Sequence, residues 1–417
     1  MNPKSGGRIG ACLAIATWGC TGGSAASPIK AGSDGGDASG LGSTSMSGTD
    51  SDGSASDDGG PTTVLSVDAG ADAAEASLPV PTATIHYLGR FDTRDAAGPR
   101  FAWPGSAIAA TFDGTGIKAT LTDSGTNYFA VVVDGQAPIN VATAGKNKTY
   151  TLASNLANGR HTLVLTKRTE SFVGVVQLLA LTPTGGALVA SPDPFTRRIE
   201  FVGDSITCGY GDLGVGPNCS FSDATEDETV AYGALAAAQL DAQQTVVAYS
   251  GKGIYRDNSG NTGNNMPVLF DLTLADDPGS AWGFATPPPD VVIINLSTND
   301  FAQGDPGAAF TTEYVAFLKQ VRQRYPGAYV LCALSPMLGG TSRTTSAGYI
   351  QSAVAQVRGA GDTRVSMLEY PADGGTAVAF DTQLDSDGYG CDYHPSTKTH
   401  QVMAGALVAA IRHATGW

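Results

Sequence analysis

Between Arg197 and Trp417 five short runs, "RIEFVG", "TVVAYS", "DVVIINLS", "AYVLCALS" and "RVSMLEY", alternate with segments of a different period. Each run is rich in Val, Ile and Leu, the texture of strands buried on both faces. The segments 229–240, 309–325 and 346–358 place apolar groups three and four apart, as Phe310, Tyr314, Phe317, Leu318 and Val321 do, and a further run at 399–413 closes the chain. That spacing predicts helices. Alternating strands and helices of this kind fold as a parallel sheet with helices on both faces. Residues 195–417 are therefore expected to form a three-layer α/β/α domain around a parallel five-stranded sheet. Ligands of such sheets bind beyond the carboxyl ends of the strands.

Upstream the texture changes. "TIHYLGRF", "SAIAATFDG", "GIKATLT", "YFAVVVDG", "KTYTLAS", "HTLVLTKR" and "FVGVVQLLALTP" are separated by turn signals at Asp113-Gly114, Asp134-Gly135 and Asn158-Gly159. Many short strands with no helical period between them predict an all-β sandwich or barrel over residues 83–187, with a jelly-roll-like sandwich expected. The segment "SPDPFTRR" (191–198) reads as the joint between the two.

Residues 21–80 are mostly Gly, Ser, Ala, Asp and Thr and cannot bury enough apolar surface to offset their ordering entropy, so a disordered linker is expected there. The formal net charge of −15 is partly a property of this tail, since residues 31–89 hold nine acids and no Lys or Arg. It excludes binding to nucleic acid through a basic face. Residues 1–20 carry Lys4, Arg8, a short apolar stretch and Cys20, the pattern of an export signal too short to span a bilayer. Cys20, followed by "TGGS", resembles the acceptor cysteine of a bacterial lipoprotein, although Thr17 and Trp18 depart from the usual residues. We expect an exported protein, secreted or tethered to the cell surface through a lipidated Cys20, and a monomer.

In an oxidising compartment Cys208, Cys219, Cys332 and Cys391 are available to pair, and four cysteines allow three pairings. Sequence leaves that choice open. No CxxC or HExxH occurs, and the five histidines lack metal-ligand spacing, so neither a metal nor another cofactor is expected. No P-loop or dinucleotide fingerprint is present, and Ser205 does not stand in a G-x-S-x-G elbow, because Thr207 takes its last position.

Four loops deliver residue types that acyl transfer requires. Ser205 in "EFVGDSITCGYG" follows the first strand of the α/β domain, Gly253 in "YSGKG" the second, and Asn299 in "NLSTND" the third, while His394 in "YGCDYHPS" precedes the last helix. Each has a structural alternative: Asp, Ser and Asn fill turns and helix caps, and glycine permits tight turns. Together, each just beyond a predicted strand or before the terminal helix, they point to a serine nucleophile, a base and oxyanion donors.

The blocks "GDSI", "TND" and a C-terminal D-x-H-P resemble those of the SGNH, or GDSL-type, hydrolases. More closely, "GDSITCGYG", "ATEDETVAYG", "YSGKGIYRD", "NLSTNDF" and "GCDYHPS" resemble carbohydrate esterase family two, and "HYLGRFD" and "YFAVVVDG" resemble its β-domain. The resemblance covers about residues 83–417. It implies an exported deacetylase in which a β-sandwich precedes an SGNH domain. It assigns Ser205 as nucleophile, His394 as base, and the Ser205 N–H, the Gly253 N–H and the Asn299 side-chain amide as oxyanion donors. Gly251 is the alternative oxyanion glycine. Two positions depart from the pattern: Cys391 stands where many SGNH enzymes have the acid, and Ser297 where the third block usually has Gly. Asp392, two residues before His394, is then the candidate that orients the imidazole, with a main-chain carbonyl as the alternative.

The reading that follows is an esterase acting on acetylated plant polysaccharides such as xylan or glucomannan through an acetyl-serine intermediate. A lipid or aryl esterase on the same fold is one alternative. A non-catalytic carbohydrate-binding surface lipoprotein is the other, in which Trp103, Trp282 or Tyr393 would stack on sugar rings; for Trp103, packing in the core is the simpler expectation.

Overall fold

A computed structural model describes residues 82–193, 195–284, 287–370 and 388–417. The export segment, Cys20 and the linker lie outside the described residues.

The first part is built from β1 (Thr82–Ala83), β2 (His86–Leu88), β3 (Arg100–Phe101), β4 (Ala107–Gly114), β5 (Gly116–Val133), β6 (Ile139–Ala153), β7 (Gly159–Lys167), β8 (Val176–Thr184), β9 (Leu188–Val189) and β10 (Ser191–Pro192). All their pairings are antiparallel. The strand β5 explains the shape. Its first half, Gly116–Asp123, pairs with β8, its second half, Phe129–Val133, pairs with β7, and β6 follows both halves with register shifts near Leu121, Asp123 and Thr126. Such irregularities bend a strand and increase its twist. The two expected layers of the sandwich are thus one eight-stranded sheet, ordered β2-β4-β7-β5-β8-β3 with β6 and β9 off this path, curled as a half-barrel. Its inner face buries Phe101, Ile108, Phe112, Leu121, Phe129 and Leu165 among others. The predicted turn at Asp134-Gly135 places both residues at positive φ, 52° and 68°, the conformation that favours this pair.

The second part contains the five predicted strands: β11 (Arg197–Gly203), β12 (Ala242–Ala248), β13 (Val291–Asn295), β14 (Tyr329–Ala333) and β15 (Val365–Leu368). Every pairing is parallel and the order is β12-β11-β13-β14-β15. The helices are α1 (Ser205–Cys208), α2 (Tyr232–Gln239), α3 (Met266–Leu269), α4 (Ala308–Arg324), α5 (Gly340–Gly359) and α6 (Thr397–Thr415). Period-two alternation divides each strand between two cores. Ile199, Phe201, Val246, Ile293 and Leu331 face α2 and α6. Val202, Val247, Val292, Ile294 and Val330 face α4 and α5. Helix α5 starts six residues before the predicted 346, because 340–345 carry no apolar residue to give a period.

Both parts belong to one compact unit, and the seam between them is buried. Trp103 of the antiparallel part is fully buried in the core that contains Val202 and Val247. Arg90, also fully buried, donates to Glu200 of β11 at 3.0 Å and to the carbonyls of Phe270 and Leu272 at 2.5 and 2.8 Å. Tyr325 completes Glu200 at 2.8 Å. Removing one member of such a pair strands the other charge in a dry site. Arg90→Ala is therefore expected to lower unfolding free energy by about 3–5 kcal/mol, and Glu200→Gln in the same chain to recover part of it; urea unfolding of the two variants beside the unaltered protein measures both.

Candidate active site

The order β12-β11-β13 leaves a crevice at the carboxyl end of β11, where successive connections leave in opposite directions. Gly203 ends that strand. A Cβ there would stand 1.9 Å from Thr207 Oγ1, so glycine is what allows the following four-residue helix to fold back over the strand end. Asp204 caps the helix, its carboxylate accepting the Ile206 N–H at 3.1 Å. Ser205 is then the first helical residue, with an N–H that has no carbonyl one turn earlier.

His394 Nε2 lies 2.8 Å from Ser205 Oγ, across 189 residues of chain. Its Nδ1 lies 3.1 Å from the Asp392 carbonyl oxygen. A carbonyl only accepts, so Nδ1 carries the proton and Nε2 presents its lone pair to the serine. The Asp392 carboxylate does not meet the imidazole. Asp392 adopts a left-handed conformation (φ 51°, ψ 38°), and its side chain accepts from Tyr210 Oη at 3.1 Å and the Phe221 N–H at 2.9 Å. The expected side-chain role in orienting His394 is thus corrected: the main chain orients the ring, and the carboxylate pins the turn to the loop after α1. A disulfide between Cys219 and Cys391 joins the same two loops, and Cys208 and Cys332 are buried free thiols. The Tyr210 ring packs on His394, centroids 4.2 Å apart.

Asn299 begins a short turn after β13 and is 8% exposed. One of its amide hydrogens goes to the Lys252 carbonyl at 2.9 Å; the other faces Asp204 Oδ2 at a long 3.4 Å. The Lys252–Gly253 peptide is thereby fixed through its carbonyl, which sets the direction of the Gly253 N–H on the opposite edge of the same plane. The two glycines of this loop serve different needs. Gly251 adopts φ 79°, whereas at Gly253 a Cβ would fall 2.2 Å from the Arg256 carbonyl oxygen and 2.5 Å from Asp300 Oδ2. Asp300 accepts the N–H groups of Ile254, Tyr255 and Arg256 at 3.0, 2.8 and 3.0 Å.

Burial sets the electrostatics. It lowers the pKa of His394 from the ordinary imidazole range, favouring the neutral ring that can accept a proton. It pushes Asp204 up to about 7 and Asp300 to about 6, each against hydrogen bonds from main-chain amides. The arrangement presents a hydroxyl to a neutral imidazole, with N–H groups of Ser205, Gly253 and Asn299 on the loops around it. Among the described residues Glu170, Cys208 and Glu226 are the acidic and thiol side chains close enough to share an ion, and all three are fully buried.

Residues 87–192 match the family described as Carbohydrate esterase 2 N-terminal, and residues 201–402 match the GDSL-like Lipase/Acylhydrolase family. A family two carbohydrate esterase from Clostridium thermocellum, solved with cellohexaose, is 39% identical, superposes with a TM-score of 0.74, and is covered over 99% of its length by 80% of this chain. The chain belongs to carbohydrate esterase family two. This places it among the carboxylic ester hydrolases. The cellulase/esterase CelE of Acetivibrio thermocellus is 38% identical over 334 residues, 80% of this chain and 40% of CelE, so the chain spans about two fifths of that relative. An acetylxylan esterase / glucomannan deacetylase of Cellvibrio japonicus is 28% identical over 341 residues, 80% of this chain and 89% of that protein.

Within this family frame both departures acquire a physical reading. Cys391, at the usual acid position, is in the disulfide. Ser297 holds φ 127°, a conformation that suits glycine and costs another residue about 1–3 kcal/mol. Sequence reasoning gave no role to Asp300 or Tyr210, although both lie in the quoted blocks. It missed Glu170 altogether, since an acid after a strand of the antiparallel part carries no local signal. Of the aromatics considered for sugar stacking, Tyr393 is 58% exposed, Trp103 is core, and Trp282 packs over Arg90.

Because the carbonyl and not the carboxylate holds His394, Asp392→Asn is expected to reduce kcat by less than about tenfold. Loss of a carboxylate that itself holds a catalytic histidine costs about 10⁴. Steady-state rates on a soluble acetyl ester decide between the two.

Proposed function

We propose that this protein is an exported serine esterase that removes acetyl groups from plant polysaccharides such as xylan or glucomannan. The observation that carries the reading is the 2.8 Å contact of Ser205 Oγ with His394 Nε2, with Nδ1 held by a main-chain acceptor. Ser205 Oγ attacks the acetyl carbonyl carbon and its proton passes to Nε2. The carbonyl oxygen becomes an oxyanion that the Ser205 and Gly253 N–H groups stabilise, joined by the Asn299 amide hydrogen that otherwise faces Asp204 Oδ2 only at a long 3.4 Å. Collapse breaks the ester bond, the imidazolium protonates the departing sugar oxygen, and an acetyl-serine remains. Water, deprotonated by His394, attacks that ester; a second collapse frees acetate and returns the proton to Ser205.

The substrate class rests on the acetylxylan esterase / glucomannan deacetylase relative and on the cello-oligosaccharide bound by the Clostridium enzyme. Export rests on the basic, apolar start of the chain, and a surface tether on Cys20 followed by a Gly-, Ser- and Asp-rich spacer. The serine, base and oxyanion donors all come from one chain, so the proposed chemistry needs no partner subunit.

Ser205→Ala is expected to lower acetate release from acetylated xylan and glucomannan by at least about 10³-fold, with the fold unchanged by circular dichroism. Equal release by both proteins would overturn the reading, and a preference for long acyl chains would favour a lipid esterase. A second expectation concerns pH. The base works when neutral, its neutral form is populated above its pKa, and burial lowers that pKa. Activity is therefore retained into mildly acidic solution, and the acid limb of kcat/KM falls below the ordinary imidazole range. A pH–rate profile locates that limb.

A further inference from the structure

The segment Lys167–Ser171, at and beyond the end of β7, is buried throughout, at 0–2% exposure, although it holds three charged residues. Such residues are seldom fully buried without partners. Lys167 Nζ donates to the carbonyls of Thr169 and Glu170 at 2.5 and 3.0 Å. Arg168 pairs with Asp227 at 2.8 Å and donates to the Glu226 carbonyl at 3.1 Å. The Lys167 contacts close the segment on itself, and those of Arg168 cross the seam between the two sheets. Glu170 does something else.

Its Oε2 accepts the Ser250 N–H at 2.7 Å, and its Oε1 accepts the Ser250 hydroxyl in a second, short bond. Its own N–H donates to Glu226 Oε2 at 2.9 Å. Ser250 stands two residues past the end of β12 and three before Gly253. A Glu170 oxygen also lies within 4.8 Å of Cys208 Sγ, at the end of the helix that Ser205 begins. One carboxylate from the antiparallel part thus reaches beneath the nucleophile turn and grips the loop that leads to Gly253.

We propose that Glu170 is a positioning residue for ester hydrolysis: its double contact with Ser250 sets the Ser250–Gly253 loop and so aims the Gly253 N–H at the developing oxyanion. The loop is then clamped on both sides of Gly253, by Glu170 before it and by Asp300 on the three amides after it. A neutral amide offers Ser250 one acceptor oxygen where the carboxylate offers two, so one of the two bonds is lost or misdirected, and a displaced oxyanion donor loses its worth in the transition state. The cost of the clamp is an acid pair out of water. Burial first, and then the charge of Glu170, push the Glu226 carboxyl well up; burial raises Glu170 as well, and the two Ser250 donors pull it back toward the charged form. An expensive group beside a reactive loop, its oxygens shared between the two Ser250 donors and the Glu226 and Cys208 side chains, fits a positioning role. The inference rests on the esterase reading above, with Gly253 as oxyanion donor.

The test uses the full chain and a soluble acetyl ester, with Glu170→Gln, Ser250→Ala, the double variant, and Glu228→Gln as a control. Glu228 is equally buried in the same seam, but its carboxylate bonds Gln244 and not the loop. Glu170→Gln is expected to lower kcat about 10–100-fold with KM moved less than about threefold, as for weakened transition-state contacts. Ser250→Ala, which removes only the hydroxyl bond and leaves the seam intact, is expected to lower kcat several-fold. The double variant should fall little below Glu170→Gln alone, because both act through one contact. Glu228→Gln should lose stability while keeping its kcat. Wild-type kcat in Glu170→Gln, an unchanged Ser250→Ala, additive losses, or an equal kcat loss in Glu228→Gln would each overturn the proposal. These failures are distinct from failure of the esterase reading, in which the unaltered chain, with or without Ser205, releases no acetate; that result would remove both.

Discussion

The register of three parallel strands governs everything built above them. Gly203 pairs with Ala248 on one side and with Asn295 on the other, so β11, β12 and β13 end level with one another. A parallel sheet sends all its strands the same way, and level ends bring the following loops out at one height. The loops carrying Ser205, Gly253 and Asn299 emerge there, two of them flanking the point where the connections diverge. A shift of one residue in any of these pairings would also exchange the two buried faces of a strand, which the separate cores on either side forbid.

On that platform each site loop is fixed by a carboxylate that accepts main-chain amides. Asp204 takes Ile206, Asp300 takes Ile254, Tyr255 and Arg256, Asp392 takes Phe221, and Glu170 takes Ser250. Tight turns expose amides that helices and strands would satisfy, and a buried carboxylate offers several lone pairs in one place. The price is desolvation, visible in the raised pKa values of Asp204 and Asp300. The disulfide between Cys219 and Cys391 adds a covalent restraint to the one site loop that comes from the far end of the chain.

The seam between the antiparallel and parallel parts follows a similar pattern. Trp103 supplies apolar area, while Arg90, Arg168 and Glu170 supply charges that reach partners across it. Buried pairs add little net stability over apolar packing, but they fail badly when mismatched, and so they fix how two surfaces meet. The antiparallel part in this sense supports the loops of the candidate site from behind.

Local rules account for much of the fold. Short Val- and Ile-rich runs and the three-four spacing of Phe310, Tyr314 and Phe317 gave the parallel sheet and its helices, because burial on both faces imposes that texture wherever it occurs. "GDS" announced a serine at a strand end, since Gly203 must admit Thr207 and Asp204 must cap. The start of α5 escaped, having no apolar residue to mark it, and so did the curl of β5, which arises from register shifts that a strand's own sequence does not announce. The pairing of Cys219 with Cys391, the outward turn of the Asp392 carboxylate and the reach of Glu170 to Ser250 belong to the tertiary structure alone. Each joins residues 80 or more positions apart. The sequence by itself determined which residue types stand at the strand ends, because strand, turn and cap obey local sterics and hydrogen bonding. Which of them touch was decided only when the sheet brought their loops to one edge.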